Sequence, residues 1–240
     1  MSSEILIFDT ETTNLDFTKD PRIIEIGGIY VQGNPLKEEQ KDIIYQRYNP
    51  LKEIFYESMA VHNIIDDDVK DCPPYTDFKF DENVKYLIGH NIDFDWEVIG
   101  KPNVKRIDTL ALSRYVYPEL ETHKLAAVCY AITPKENRKF IQQICNTYHN
   151  ALTDCYLVLY LLKNILIKNK NILNWEQLYT FSQYSRIPKR ITFGRYKGTL
   201  ISELPVDYIN WLLNQKDLDP YLYEAIKLTS NSVSEELKII

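Results

Sequence analysis

The stretch Glu4-Ile5-Leu6-Ile7-Phe8-Asp9-Thr10-Glu11 runs from apolar, partly β-branched residues into two acids. Four consecutive apolar residues of this kind read as a buried strand. Side chains alternate along a strand, so Asp9 and Glu11 share one face, roughly 6–7 Å apart, while Thr10 points to the other. Two carboxylates so placed can converge on cations. On their own, as an isolated Asp-x-Glu, they read better as simple polar residues at a strand end. What favours a site is that charges directly following a buried strand are costly unless a cation or a partner neutralises them.

Outward from this strand, apolar runs at 23–31 and 42–48 predict two more strands. A helix near 58–63, a strand at 84–88 and a second helix follow, then a segment around Ile107 and helices from Leu110 onward and over 151–167. Three adjacent strands followed by alternating helix and strand predict an α/β sheet covered on its faces. The polar run from Asn169 ends the last helix and places a boundary near residue 170. The expected domains are therefore 1–170 and a small C-terminal module, 171–240, with its own apolar residues, Trp175, Tyr179, Phe181, Trp211, Leu212 and Leu213.

Two later runs carry further acids. Gly89-His90-Asn91-Ile92-Asp93-Phe94-Asp95 follows the apolar Tyr86-Leu87-Ile88 and precedes a helix-like segment. Such a strand-to-helix turn is a natural place for functional side chains. Spacing alone does not choose between Asp93 and Asp95, and Asp93 can equally cap the helix. In the third run, His149 precedes an apolar helix and Asp154 falls in its first turns. Five helical residues turn through about 500°, about 140° around the axis, so the two cannot share a face if both are helical. His149 is therefore expected in the preceding loop, with Asn150 as the cap. In the blander alternative His149 is a surface histidine and Asp154 a helix N-terminal acid favoured by the dipole.

These three runs together resemble the DEDDh superfamily of 3′ to 5′ exonucleases, whose motifs are Asp-x-Glu, Asn-x-x-Phe-Asp and His-x-x-x-x-Asp. All five signature positions are filled, by Asp9, Glu11, Asp95, His149 and Asp154, and the second motif selects Asp95 over Asp93. Arg22-Ile-Ile-Glu-Ile-Gly27 and Ala60-Val-His62-Asn-Ile resemble flanking segments of the same family. The likeness continues through Tyr148 to Tyr156, Asn174-Trp175-Glu-Gln and Ile191-Thr-Phe-Gly-Arg-Tyr-Lys-Gly198, and so covers almost the whole chain. It implies a ribonuclease H-like mixed sheet flanked by helices. It also implies two Mg²⁺ ions, with Mn²⁺ as a substitute, held by Asp9, Glu11, Asp95 and Asp154, with His149 as general base. The implied substrate is DNA with single- or double-stranded 3′ ends, and RNA is the alternative substrate. Thr12, Thr13, Leu15 and His90 are the candidates for seating the terminal nucleotide. A non-enzymatic nucleic-acid binder and a polymerase proofreading subunit are the competing readings. One departure is Asn14, where the family has Gly; Asn tolerates a left-handed turn better than other non-glycines.

With 240 residues, 45% hydrophobic, the chain can bury one sizeable core and a small appendage. No stretch reaches the length of a membrane span, the opening residues lack the sections of a signal peptide, and cytoplasmic residence is expected. The four cysteines show no Cys-x-x-Cys pairing and are expected to be reduced. A net charge of −6 argues superficially against a polyanion partner. Bound divalent ions would offset it where substrate enters. From Tyr184 to Leu200 the balance reverses: Arg186, Lys189, Arg190, Arg195 and Lys197 occur without an acid and with Phe193 and Tyr196 interleaved. Arg190, Arg195 and Lys197 are the candidates for a nucleic-acid groove. The same residues also read as a tight hairpin with solvated bases. Oligomeric state is left open.

Overall fold

A computed structural model describes residues 4–35, 39–146, 150–215 and 218–236, with the side chains of 39–41 and 230–236 excepted. The chain divides into two compact units, Met1–Ser182 and Gln183–Ile240.

In the first unit, β1 (Ile5–Thr12), β2 (Ile23–Gln32) and β3 (Glu39–Arg47) form an antiparallel meander. α1 (Tyr56–His62) and α2 (Asp66–Val69) follow, then β4 (Tyr86–Gly89), α3 (Ile92–Val98) and β5 (Lys105–Asp108). β4 pairs in parallel with β1 and with β5, giving one five-stranded mixed sheet in the order β3-β2-β1-β4-β5. α4 (Thr109–Val116), α5 (Leu125–Ile132), α6 (Arg138–Cys145), α7 (Ala151–Lys168) and α8 (Trp175–Arg186) complete the series, the division between the units falling within α8. The predicted strands and helices are thus present, with ends displaced by a few residues.

The alternation in β1 sorts its residues between two cores. Ile5 and Ile7 pack with the buried side of α7, which includes Leu157, Val158, Leu161, Leu162 and Ile165. Leu6 and Phe8 face the opposite layer, with Ile26, Leu87 and Ile92, the first residue of α3. Asp9 and Glu11 therefore lie on the α7 face and Thr10 on the α3 face, as the two-residue period of a strand requires. Trp175, Tyr179 and Phe181, assigned from sequence to the C-terminal module, instead join the core of the first unit. The reason is that α8 begins with Trp175 buried and its indole N–H donating to the Gly33 carbonyl at 2.8 Å.

The second unit contains α9 (Val206–Leu213) and α10 (Pro220–Glu236). Ile191, Ile201, Leu204, Leu212, Leu222, Ala225 and Ile226 form its core. Before α9, an antiparallel bridge between Arg190 and Leu200 closes a tight hairpin. Trp211 does not belong to this core: it is 52% exposed.

Candidate active site

Asp9 and Glu11 stand at the carboxyl end of β1, the central strand, where β1 pairs with β2 on one side and β4 on the other. The crevice beyond strand ends at such a point is a recurrent ligand site in open α/β sheets. α7 brings Asp154 to it. A carboxylate oxygen from each of Asp9, Glu11 and Asp154 lies within 4.8 Å of the other two. Among the described residues no other group of His, Cys, Asp or Glu side chains converges in this way.

Two features of β2 place α7 there. In the sheet register Gly27 is opposite Asp9 and Glu25 is opposite Glu11. A Cβ on Gly27 would stand 2.3 Å from the Ala151 carbonyl carbon and from the Leu152 nitrogen, so the first turn of α7 rests directly on the β2 backbone. Fully buried Glu25 accepts from the Ala151 N–H at 3.1 Å and, through its other oxygen, from Tyr45 Oη and Arg47 Nε, both at 2.7 Å. Asn150 caps the helix, its side chain accepting from the Thr153 N–H at 2.7 Å. The helix runs from Ala151, with Asn150 as its cap; His149, expected in the preceding loop, lies outside the described residues. Sequence reading passed over Glu25 as a site residue. The available signal was an acid inside Ile23-Ile24-Glu25-Ile26-Gly27, where a buried charge needs a partner.

Asp95 comes from the other layer. Its Oδ1 accepts from the Thr10 N–H at 2.9 Å and from the Thr10 hydroxyl at 2.6 Å, so the residue on the far face of β1 anchors it beside the three acids. Asp95 is not one of the three mutually close carboxylates, yet its charge acts on both Asp9 and Glu11. Asn91, not Asp93, is the N-cap residue of α3, and Asp93 pairs with Arg106 at 2.5 Å. The α3 turn is tied down by Asp108, whose Oδ1 accepts from the N–H groups of Asn91 and Leu110, each at 2.9 Å.

Crowding of acids sets the electrostatics. Burial, then the charges of Asp95, Asp154, Glu11 and Glu25, holds the Asp9 carboxyl well above the usual carboxylate range. Burial, with Asp154 next, pushes Glu11 up to about 9. Asp95 is pushed up to about 7 by burial, which outweighs the lowering effect of its bonds from Thr10. Acids that cannot ionise together without a compensating positive charge, and that offer only hard oxygen donors, fit a divalent cation of the Mg²⁺ or Mn²⁺ type.

The other predicted residues are placed unevenly. The Thr12 hydroxyl donates to the Asn14 carbonyl at 2.8 Å, and buried Thr13 accepts from the Arg22 N–H at 3.1 Å. Both serve the turn. Asn14 is not left-handed; its side chain closes an Asx turn, Oδ1 accepting from the Asp16 N–H at 2.8 Å. Leu15 is 76% exposed. His90 has both ring nitrogens engaged inside the protein, with Thr109 Oγ1 at 3.1 Å and the His123 carbonyl at 2.7 Å. In the second unit Arg190 closes the hairpin by donating to the Gly198 carbonyl at 2.7 Å, while Arg195 and Lys197 are exposed.

Comparison with known proteins places this geometry in a family. The family described as Exonuclease matches residues 6–162, and one described as "Putative quorum-sensing-regulated virulence factor" matches residues 184–221. The resemblance read from the sequence extends to exodeoxyribonuclease X. Exodeoxyribonuclease 10 of Escherichia coli K12 is 26% identical over 92% of this chain and 96% of its own length. DNA polymerase III PolC-type of Bacillus subtilis is 28% identical over 67% of this chain, but only 11% of that polymerase is spanned. The solved structure of Exonuclease X in complex with 5′ overhanging duplex DNA superposes with a TM-score of 0.56 at 24% identity, covering 74% of this chain and 99% of that one. E. coli Exonuclease I in complex with a dA16 oligonucleotide gives 0.53 at 14% identity, over 78% and 44%. These likenesses show the ribonuclease H-like fold that the motifs implied. The family match spans β1 through most of α7, the elements that bear Asp9, Glu11, Asp95 and Asp154, and by it the chain belongs to the Exonuclease family.

Proposed function

We propose that this exonuclease removes nucleoside 5′-monophosphates from the 3′ ends of DNA with the aid of two divalent cations. The observation that carries the reading is the convergence of Asp9, Glu11 and Asp154 within 4.8 Å, in a setting that raises the carboxyls of Asp9 and Glu11. DNA as substrate is supported by the similarity to a protein named exodeoxyribonuclease over nearly the full length of both chains.

Bound Mg²⁺ or Mn²⁺ would supply neutralisation of the phosphodiester charge and a water of lowered pKa. Asp9, Glu11 and Asp154 would hold that positive charge, and Asp95, fixed by Thr10, would complete the ligand set. His149, directly before the cap of α7 in the sequence, takes a proton from the attacking water, the general-base role that an imidazole most often fills. Leu15, exposed at the turn that Thr12 and Thr13 shape, offers an apolar face to the terminal base. Cys72, Cys129, Cys145 and Cys155 are free, and among the described residues no helix is long and apolar enough to cross a membrane.

End-labelled single- and double-stranded DNA and RNA, incubated with the protein in Mg²⁺ or in EDTA, test the proposal. Mononucleotides should appear from DNA 3′ ends in Mg²⁺ and not in EDTA. Asp9→Ala should lose both turnover and Mg²⁺ binding, whereas His149→Ala should lose most turnover and keep Mg²⁺ binding. Undiminished cleavage in EDTA would overturn the reading, and cleavage of RNA alone would redirect it to a ribonuclease.

A further inference from the structure

The C-terminal unit presents an aromatic row at the margin of its core, with Tyr196 and Tyr208 packed against that core and Trp211 outside it. Tyr196, in the hairpin, packs on Tyr208 of α9 with ring centroids 4.5 Å apart. Tyr208 in turn stacks on Trp211, at 5.4 Å with the planes 19° apart. The row ends at solvent, since Trp211 is 52% exposed, and Phe193 in the same hairpin is 44% exposed. Large flat side chains left open are costly to keep in water unless something covers them.

The hairpin beside this row is cationic and rigidly held. The Ile191 N–H donates to the Thr199 carbonyl at 3.0 Å, the Gly198 N–H donates to the Ile191 carbonyl at 2.7 Å, and Arg190 donates to the Gly198 carbonyl at 2.7 Å. Gly194 and Gly198 take φ values of 64° and 88°, which a side chain would strain, so the turn fixes where its neighbours emerge. Arg195 and Lys197, both exposed, form no ion pair among the described residues. Acids of the unit begin only later, at Glu203 and Asp207. In a chain of net charge −6, this local excess of positive charge beside open rings selects a polyanion with flat apolar faces.

We propose that the C-terminal unit carries a second, non-catalytic site that binds single-stranded nucleic acid, its bases stacking on the Tyr208–Trp211 step and its phosphates meeting Arg195 and Lys197. A duplex has its base faces closed against one another and cannot use the rings, so unpaired strands are the ligand. Stacking and phosphate contact do not read the sugar, so DNA and RNA strands share the required chemistry. The site is separate in composition from the acid cluster, and it stands or falls independently of the proposed nuclease reaction.

The test uses the full-length chain in EDTA, which stops cleavage. Fluorescence anisotropy measures binding of labelled oligothymidylate and oligouridylate of about 20 nucleotides, and of a blunt duplex of the same length, across a range of salt. Trp211→Ala should weaken strand binding about tenfold with the salt dependence kept. Arg195→Glu with Lys197→Glu should weaken it at least as much, as an order-of-magnitude expectation, and flatten the salt dependence. Trp211→Phe, which keeps an aromatic face, should restore most of the affinity, separating stacking from damage to the fold; thermal melting of each variant checks that it is folded. The ratio between the two strands identifies the preferred sugar. Equal affinity of all variants and wild type, or tighter binding of the duplex that the variants share, overturns the site. Wild-type cleavage of labelled DNA in Mg²⁺, run alongside, reads the nuclease proposal separately.

Discussion

At Glu11 the fold keeps a proton that an unfolded chain would release. Its carboxyl stands at about 9 against an ordinary value of 4.5, and those of Asp9 and Asp95 are raised as well. A carboxyl raised on folding gives stability that is complete below its unfolded pKa and is lost as pH rises through the folded one. The metal-free protein should therefore melt at progressively lower temperature between about pH 5 and pH 9. Divalent metal binding replaces those protons, so Mg²⁺ should raise the melting temperature more at pH 9 than at pH 5, when each is compared with EDTA by scanning fluorimetry. A metal-free melting temperature that does not fall over this range would contradict the placement of these acids. That Asp9 and Glu11 share one face was legible from strand alternation alone; that they belong to a site was legible only from the three motifs together. Thr10 was legible only as facing away; that this makes it the anchor of Asp95 depends on which helix covers the second face. The turn at Asn14 was legible as a turn, but its mechanism is a side-chain hydrogen bond rather than left-handed backbone.

Between elements, the contact of α7 with β2 is the joint on which the acid cluster depends. Gly27→Ala would put a methyl group into backbone atoms, which unlike the end of a flexible side chain cannot turn aside. The expected cost is at least the usual overpacking figure of about 1–3 kcal/mol, seen as a lower urea midpoint with an unchanged slope. Because α7 bears Asp154, nuclease activity should fall further than the folded fraction does; activity that tracks the folded fraction would show that the helix has room to shift. The elements themselves were readable because apolar runs and their periods are local properties: 23–31 against Ile23–Gln32, and 151–167 against Ala151–Lys168. Which helix belongs to which core was not. Trp175 and Phe181 are apolar in either assignment, and only the packing of α8 gives them to the first unit.

Across the whole molecule, the buried clusters of the sheet and its helices lie within Met1–Ser182, and the cluster around Ile191 and Leu212 within Gln183–Ile240. A chain ending at Ser182 should therefore remain folded, with a single cooperative melting transition. It should still shorten DNA in Mg²⁺ while binding long single strands more weakly than the full chain; a truncated chain that is unfolded would show that the second unit supports the first. The sequence by itself determined the strands and helices, the two-residue alternation that puts Asp9 and Glu11 on one face, and the three motifs that identify the family, since each depends only on residue type and spacing along the chain. The tertiary structure decided which acids meet: that Asp154 joins Asp9 and Glu11 over the bare backbone of Gly27, that Glu25 holds the helix from below, and that Asp95 reaches the site through Thr10. Those contacts join residues up to 145 positions apart, from Asp9 to Asp154, and their distances come from the order of strands and the closeness of packing, which no local stretch of sequence encodes.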